Sequence, residues 1–123
     1  VRLLIVDDNP VNQKLLFYSL KKYYEVATAN NGLEAVILLD NENFDAVIMD
    51  LSMPIMDGAE ATLRIRKSSN ERSRNIPIIF LTTNDYDHER ERCLNYGAND
   101  YLLKPVDVEI LMKTIENNLL VNL

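Results

Sequence analysis

Two short apolar runs that each stop on aspartate constrain this chain more than any other feature. Leu3-Leu4-Ile5-Val6 gives way to Asp7-Asp8, and Val47-Ile48-Met49 gives way to Asp50. Runs without polar alternation read as strands buried on both faces, the pattern of a parallel sheet covered by helices. Ligands of open α/β sheets bind beyond the carboxyl ends of such strands. If the two strands are neighbours, Asp7, Asp8 and Asp50 converge on one small pocket, where carboxylates repel one another unless a cation sits among them. The cluster predicts a metal.

Around these runs the chain alternates strand and helix five times. Strands are predicted over 3–6, 25–29, 46–50, 77–81 and 101–103, with Pro77 at a strand start where its missing N–H is tolerated. Helices are predicted over 10–22, 33–41, 59–67, 85–95 and 107–120. Asp8-Asn9-Pro10 is a natural helix start, with either Asp8 or Asn9 as N-cap, and Gly97 reads as a left-handed cap closing the fourth helix. Residues 68–75 read as a polar loop. In the last helix Leu111, Ile115 and Leu119 form one stripe. This alternation implies a doubly wound α/β fold, a five-stranded parallel sheet with helices on both faces and right-handed crossovers. No repeat, linker or low-complexity segment interrupts it.

At 123 residues the chain fits one domain over 1–123, large enough to bury roughly two-thirds of its unfolded surface. It starts on Val1 without Met, directly before the first strand, and so reads as a domain cut from something longer. A net charge of -6 argues against direct nucleic-acid binding and against membrane contact by this domain. No apolar run approaches a membrane span or a signal peptide. The single cysteine, Cys93, cannot form an internal disulfide, which suits a reducing, cytoplasmic compartment. The parent protein could still be membrane-anchored. His88 is the only histidine, and on a charged helix it reads as solvated surface.

Taken together, Asp7-Asp8, Asp50 with Met53-Pro54 and Asp57-Gly58, then Thr82, then Lys104-Pro105 stand in the order and spacing of a response-regulator receiver domain, and the resemblance spans the chain. The resemblance implies strand order 2-1-3-4-5, the flavodoxin-like (βα)5 arrangement that makes strands one and three neighbours. It further implies that Asp50 takes a phosphoryl group from phosphohistidine as an acyl phosphate. Asp7, Asp8, Asp50 and the backbone carbonyl of Ser52 would hold Mg²⁺, a hard cation suited to few carboxylates and several waters. Lys104 would face the phosphoryl oxygens, aimed inward by a cis bond to Pro105, and Thr82 would donate its hydroxyl. Thr83 stands next to Thr82, so that assignment rests on the family's distance from Pro77. Tyr101 matches the aromatic that follows the Thr82 movement, and Ser52 and Asn84 match the positions flanking a hydrolytic water.

Such a domain catalyses its own aspartyl phosphorylation and dephosphorylation rather than turning over a metabolite. An aspartyl-phosphate phosphohydrolase commonly needs a carboxylate two residues after the nucleophile, where this chain has Ser52. A degenerate receiver acting as a phosphorylation-independent binding module is the other alternative, and the complete residue set weighs against it. Asp-Asp-Asn-Pro-Val-Asn and Lys-Pro-Val resemble receivers of hybrid histidine kinases, which implies a histidine kinase or a histidine phosphotransfer protein as partner. Helical spacing turns Asn12, Leu15, Leu16, Ser19, Leu20 and Tyr23 toward the sheet, leaving Val11, Lys14, Tyr18 and Lys21 on an outward stripe for that partner. Oligomeric state is open.

Overall fold

The computed structural model describes the backbone of residues 1–83 and 87–121 and the side chains of residues 1–83 and 91–120. Its elements run β1 (Arg2–Val6), α1 (Pro10–Leu20), β2 (Glu25–Ala29), α2 (Gly32–Asn41), β3 (Ala46–Asp50), α3 (Gly58–Arg66), α4 (Glu71–Arg74), β4 (Ile78–Thr82), α5 (Asp87–Asn95), β5 (Asp100–Leu103) and α6 (Val108–Val121). The strands form one parallel sheet in the order β2-β1-β3-β4-β5. The two apolar runs are therefore neighbours, paired from Leu3 with Ala46 to Val6 with Met49.

The apolar runs lack alternation because both sheet faces are covered. Leu4, Val6, Val47, Met49, Ile78 and Phe80 point toward Ala35 and Leu39 of α2, Ala61 and Ile65 of α3, and Cys93 of α5. Leu3, Ile5, Ile48, Ile79 and Leu81 point the other way, toward Leu16 and Leu20 of α1 and Leu111 and Ile115 of α6. Each fully buried side chain of this size contributes roughly 1.5–3 kcal/mol of transfer free energy. Gly97 closes α5 at φ 105, with its N–H donating to Leu94 O and the Ala98 N–H to Cys93 O. Among the described residues no helix is long and apolar enough to cross a membrane.

Several details depart from the sequence reading. Residues 68–75 hold a short helix, α4, capped by Asn70, whose side chain accepts from the Arg72 and Ser73 amides. Only Ser73 of this helix is buried, its hydroxyl donating to Leu39 O, so no apolar period announced it. Helix α1 stops at Leu20 rather than near residue 22. Its inward face is also narrower than expected: Leu15 is 63% exposed and Tyr23 64%. Leu15 is about 100° round the helix from Leu16, at the margin of the stripe, and Tyr23 lies beyond the helix end, where helical spacing no longer applies. Asn84 lies outside the described residues, as does the side chain of His88.

Candidate metal centre

The first helix begins with Asn9, not Asp8, as its cap: the Asn9 side chain accepts from the Val11 and Asn12 amides. Asp8 is thereby left exposed beyond β1. Asp7 is turned inward and is 1% exposed, and Asp50, the last residue of β3, is 8% exposed. One carboxylate oxygen from each of Asp7, Asp8 and Asp50 lies within 4.8 Å of the others. Lys104, directly after β5, places its Nζ 3.1 Å from Asp50 Oδ1 and 3.8 Å from Asp7 Oδ2.

Backbone and side-chain contacts fix this geometry. Asp7 Oδ1 accepts the Asn9 N–H at 2.9 Å, and the Asp7 N–H donates to Ala29 O at the end of β2. Gln13 Nε2, which the sequence reading passed over, reaches Asp7 O, Ala29 O and Asn30 Oδ1 at 3.0–3.1 Å and ties the ends of β1 and β2 together. A lone amide on the first helix gives no sequence signal for that role. The Lys104 N–H donates to Thr82 O at 2.7 Å, so Thr82, 6% exposed at the end of β4, is linked to the lysine. The Lys104–Pro105 bond is cis. The Ser52 amide faces Asp50 Oδ1 at 3.4 Å. Tyr101 pairs with Phe80 while Thr82 pairs with Leu103, which puts Thr82 and Tyr101 on one face of the sheet.

The electrostatics are those of a site built for a cation. Three carboxylates face one ammonium. Asp7 Oδ2 is buried with no hydrogen-bond partner among the described residues, and an orphaned buried acceptor is costly unless something positive completes it. Burial pushes the Asp7 carboxyl above its ordinary range. The Asn9 amide and Lys104 oppose that rise, while the charges of Asp50 and Asp8 add to it. The donor set is all oxygen, which suits a hard divalent ion.

Fold and site define a flavodoxin-like α/β domain with an acidic cation pocket at the carboxyl ends of β1 and β3. Residues 3–116 match the response regulator receiver domain family, and the chain belongs to it. It is 41% identical over 115 residues to protein PilH of Pseudomonas aeruginosa, covering 93% of each chain. It is 37% identical over 114 residues to the sensor histidine kinase RcsC of Escherichia coli, a match that covers 92% of this chain but only 12% of the kinase. Among solved structures, the receiver domain of sensor histidine kinase PA1611 from Pseudomonas aeruginosa is similar with a TM-score of 0.87, 38% identity and 96% coverage of both chains. That structure has a magnesium ion coordinated in its active site cleft. The receiver domain of Saccharomyces cerevisiae Ssk1, solved with the histidine phosphotransfer protein Ypd1, is similar with a TM-score of 0.86 and 32% identity over 96% of this chain and 88% of that one.

Proposed function

We propose that the chain is a Mg²⁺-dependent phosphoacceptor, taking a phosphoryl group from a phosphohistidine onto Asp50 and releasing it later by hydrolysis. The observation that carries this reading is the position of Lys104 Nζ, 3.1 Å from Asp50 Oδ1 and 3.8 Å from the orphaned Asp7 Oδ2. Lys104 and the Ser52 amide both address Oδ1, so Oδ2 is the oxygen presented for attack. Oδ2 bonds to phosphorus while the phosphorus–nitrogen bond breaks, and the imidazole nitrogen leaves with the electron pair. Lys104 and the Thr82 hydroxyl face the oxygens on which charge gathers, the main form of catalysis in phosphoryl transfer. Asp7, Asp8, Asp50 and the Ser52 carbonyl would hold Mg²⁺, which when bound neutralises phosphoryl charge. Water attack on the acyl phosphate restores the carboxylate, with Ser52 and Asn84 as tuning positions. Thr82 and Tyr101, on one sheet face, would carry the phosphorylated state outward.

The donor would be a histidine kinase or a histidine phosphotransfer protein, and the likeness to RcsC supports a receiver segment of a cytoplasmic or membrane-anchored hybrid kinase. Helix α1 would be its docking face, with Val11 and Tyr18 as anchors and Lys14 and Lys21 meeting an acidic rim. Leu15, exposed between them, belongs to the same face. Beside it runs a groove of about 460 Å³ lined by Leu15, Leu16, Pro105, Val106 and Val108, with Asp7 and Lys104 also in its wall. The test is incubation with acetyl phosphate and Mg²⁺ followed by intact-mass measurement. The parent should gain one phosphoryl group and Asp50→Asn none; undiminished labelling of that variant would sink the assignment.

A further inference from the structure

Asn31-Gly32 is the only asparagine–glycine step in the chain. Such a step is chemically labile, because a glycine nitrogen with no Cβ beside it closes easily onto the asparagine side chain. The Gly32 nitrogen, having lost its proton to solvent base, bonds to Asn31 Cγ. The Cγ–Nδ2 bond breaks, and the amide leaves as ammonia, taking a proton back from solvent. Water then opens the cyclic imide on either side, giving aspartate or, where the chain comes to run through the side chain, isoaspartate. The fold cannot escape the step by substitution: a Cβ on Gly32 would stand 2.5 Å from Met56 O and 2.9 Å from Ala61 Cβ.

In the folded chain the same contacts lock it. The Gly32 N–H donates to Met56 O at 3.0 Å, so the attacking nitrogen is held by the loop between β3 and α3. Asn31 caps α2 with φ -163 and ψ 175, and at that ψ the Gly32 nitrogen is staggered to Cβ rather than eclipsed with it as the ring requires. Its Oδ1 accepts the Glu34 N–H at 2.9 Å, and its Nδ2 lies 3.5 Å from Glu34 Oε2. Ring closure therefore needs the first turn of α2 to unwind and lift from Met56, a buried residue. Local openings of this kind cost less than global unfolding. The loop that must release Gly32 is the same loop that the Gly58 N–H closes on Leu51 O, with Gly58 packed against the Asp50 carbonyl.

We propose that Asn31 is a modification site, converted to aspartate and isoaspartate through openings that free Gly32 from Met56 O, and that isoaspartate there disables the pocket. Aspartate keeps a capping oxygen for α2, whereas isoaspartate adds a backbone carbon where Gly32 has no room and displaces the loop packed on Asp50. The effect on the pocket rests on the proposed role of Asp50. Peptide mapping after incubation in mildly alkaline buffer reads the amide-to-acid conversion, an isoaspartyl methyltransferase marks the isoaspartate, and NMR follows hydrogen exchange of the Gly32 N–H. In the chain unfolded by urea Asn31 should convert before every other asparagine, and in the folded chain at least about tenfold more slowly. Met56→Ala, or urea below the unfolding transition should that variant not fold, is expected to raise Gly32 exchange and Asn31 conversion by the same factor. Folded-state conversion at the unfolded rate, or conversion that stays constant while exchange rises, would overturn the site. Asn31→Asp should label with acetyl phosphate like the parent, and the isoaspartate form about tenfold or more slowly, as displacement of a reacting group costs. Equal labelling of those two forms would overturn the effect on the pocket. A parent inert to acetyl phosphate would remove the Asp50 reading and that effect together, while the conversion stands or falls on its own rates.

Discussion

Lys104 Nζ lies 3.1 Å from Asp50 Oδ1 and draws the carboxylate toward the wall of the pocket, at the ends of two strands that are not adjacent in the sheet. The Lys104 N–H donates to Thr82 O, which ties the lysine backbone to the end of β4. In the proposed transfer the ammonium would serve the phosphoryl oxygens, and it would compete with a divalent cation for the same acidic cluster. Lys104→Gln should therefore bind Mg²⁺ at least as tightly as the parent, yet label with acetyl phosphate on the order of 10²-fold more slowly. Metal titration and mass-monitored rates read the two effects separately. Weaker Mg²⁺ binding in the variant would contradict the competition.

Asp7 gives the metal-free protein its own pH dependence. Its carboxyl is raised from 3.8 by burial first, so the folded state holds that proton more tightly than the unfolded state does. The corresponding stability is complete below the ordinary carboxylate range and is lost as pH rises through the raised value. Asp7→Asn, in chelator, should melt higher than the parent at neutral pH, with the gap shrinking as pH falls toward about 4. Mg²⁺ should raise the parent's melting temperature by mass action and the variant's much less. Asp8→Asn should stabilise the metal-free form in the same direction by less, because Asp8 is exposed. A gap that widens on acidification would refute the linkage.

Gly58 and Gly97 make a matched pair of controls. A Cβ on Gly58 would meet Asp50 O at 2.6 Å and Leu51 Cα at 3.1 Å, both backbone. Gly58→Ala should cost about 1–3 kcal/mol in denaturant melts, as overpacking does, and should slow labelling because Asp50 itself must shift. Gly97→Ala is strained by φ 105 and crowds Arg66 instead, so it should destabilise while the labelling rate per folded molecule stays parental. Equal labelling in both variants would mean that Gly58 does not set Asp50.

The pole away from the site is tied by Arg66. Its guanidinium donates to Gly97 O, Arg74 O, Ile76 O and Asn99 Oδ1 at 2.7–3.1 Å, and burial lowers its pKa from the ordinary value. Arg66→Met should take this donor from the Gly97, Arg74 and Ile76 carbonyls, while Asn99 Oδ1 keeps the Ile78 N–H, and cost about 2–4 kcal/mol, measured by urea melts, with labelling unchanged. The acceptors precede β4 and β5, while the pocket lies beyond the strands' far ends.

These contrasts mark what a sequence can show. Leu3 to Val6 and Ala46 to Met49 announced themselves because both faces are buried, and with strand alternation that carried the topology. Asp7, Asp8 and Asp50 were legible as strand-end carboxylates, and Lys104 only through the resemblance to receiver domains carried by Lys104-Pro105. Arg66 was not, because its acceptors are mostly backbone carbonyls, which carry no side-chain signature. Gln13 was hidden for the same reason. Helix α4 is held by a cap and the Ser73 hydroxyl rather than by an apolar stripe.

Helix α1 supplies the last test, and the structure changes its form. Reading Leu15 as inward would make it a core residue, and truncating it would then cost several kcal/mol. At 63% exposure, Leu15→Ala should shift the melting temperature little. Val11 and Tyr18 are 66% and 56% exposed, and Lys21 Nζ sits 4.6 Å over the Tyr18 ring, which holds the ring for a partner at low entropic cost. Leu15→Ala with Tyr18→Ala should slow transfer from a phosphorylated histidine phosphotransfer protein about tenfold or more and leave acetyl phosphate labelling unchanged. Lys14→Ala with Lys21→Ala should mainly lower the on-rate, and the loss should fade at high salt. A large drop in melting temperature for Leu15→Ala would return that residue to the core. Unchanged transfer in the Leu15 and Tyr18 double variant would move the docking face off α1, most directly toward α5 and β5.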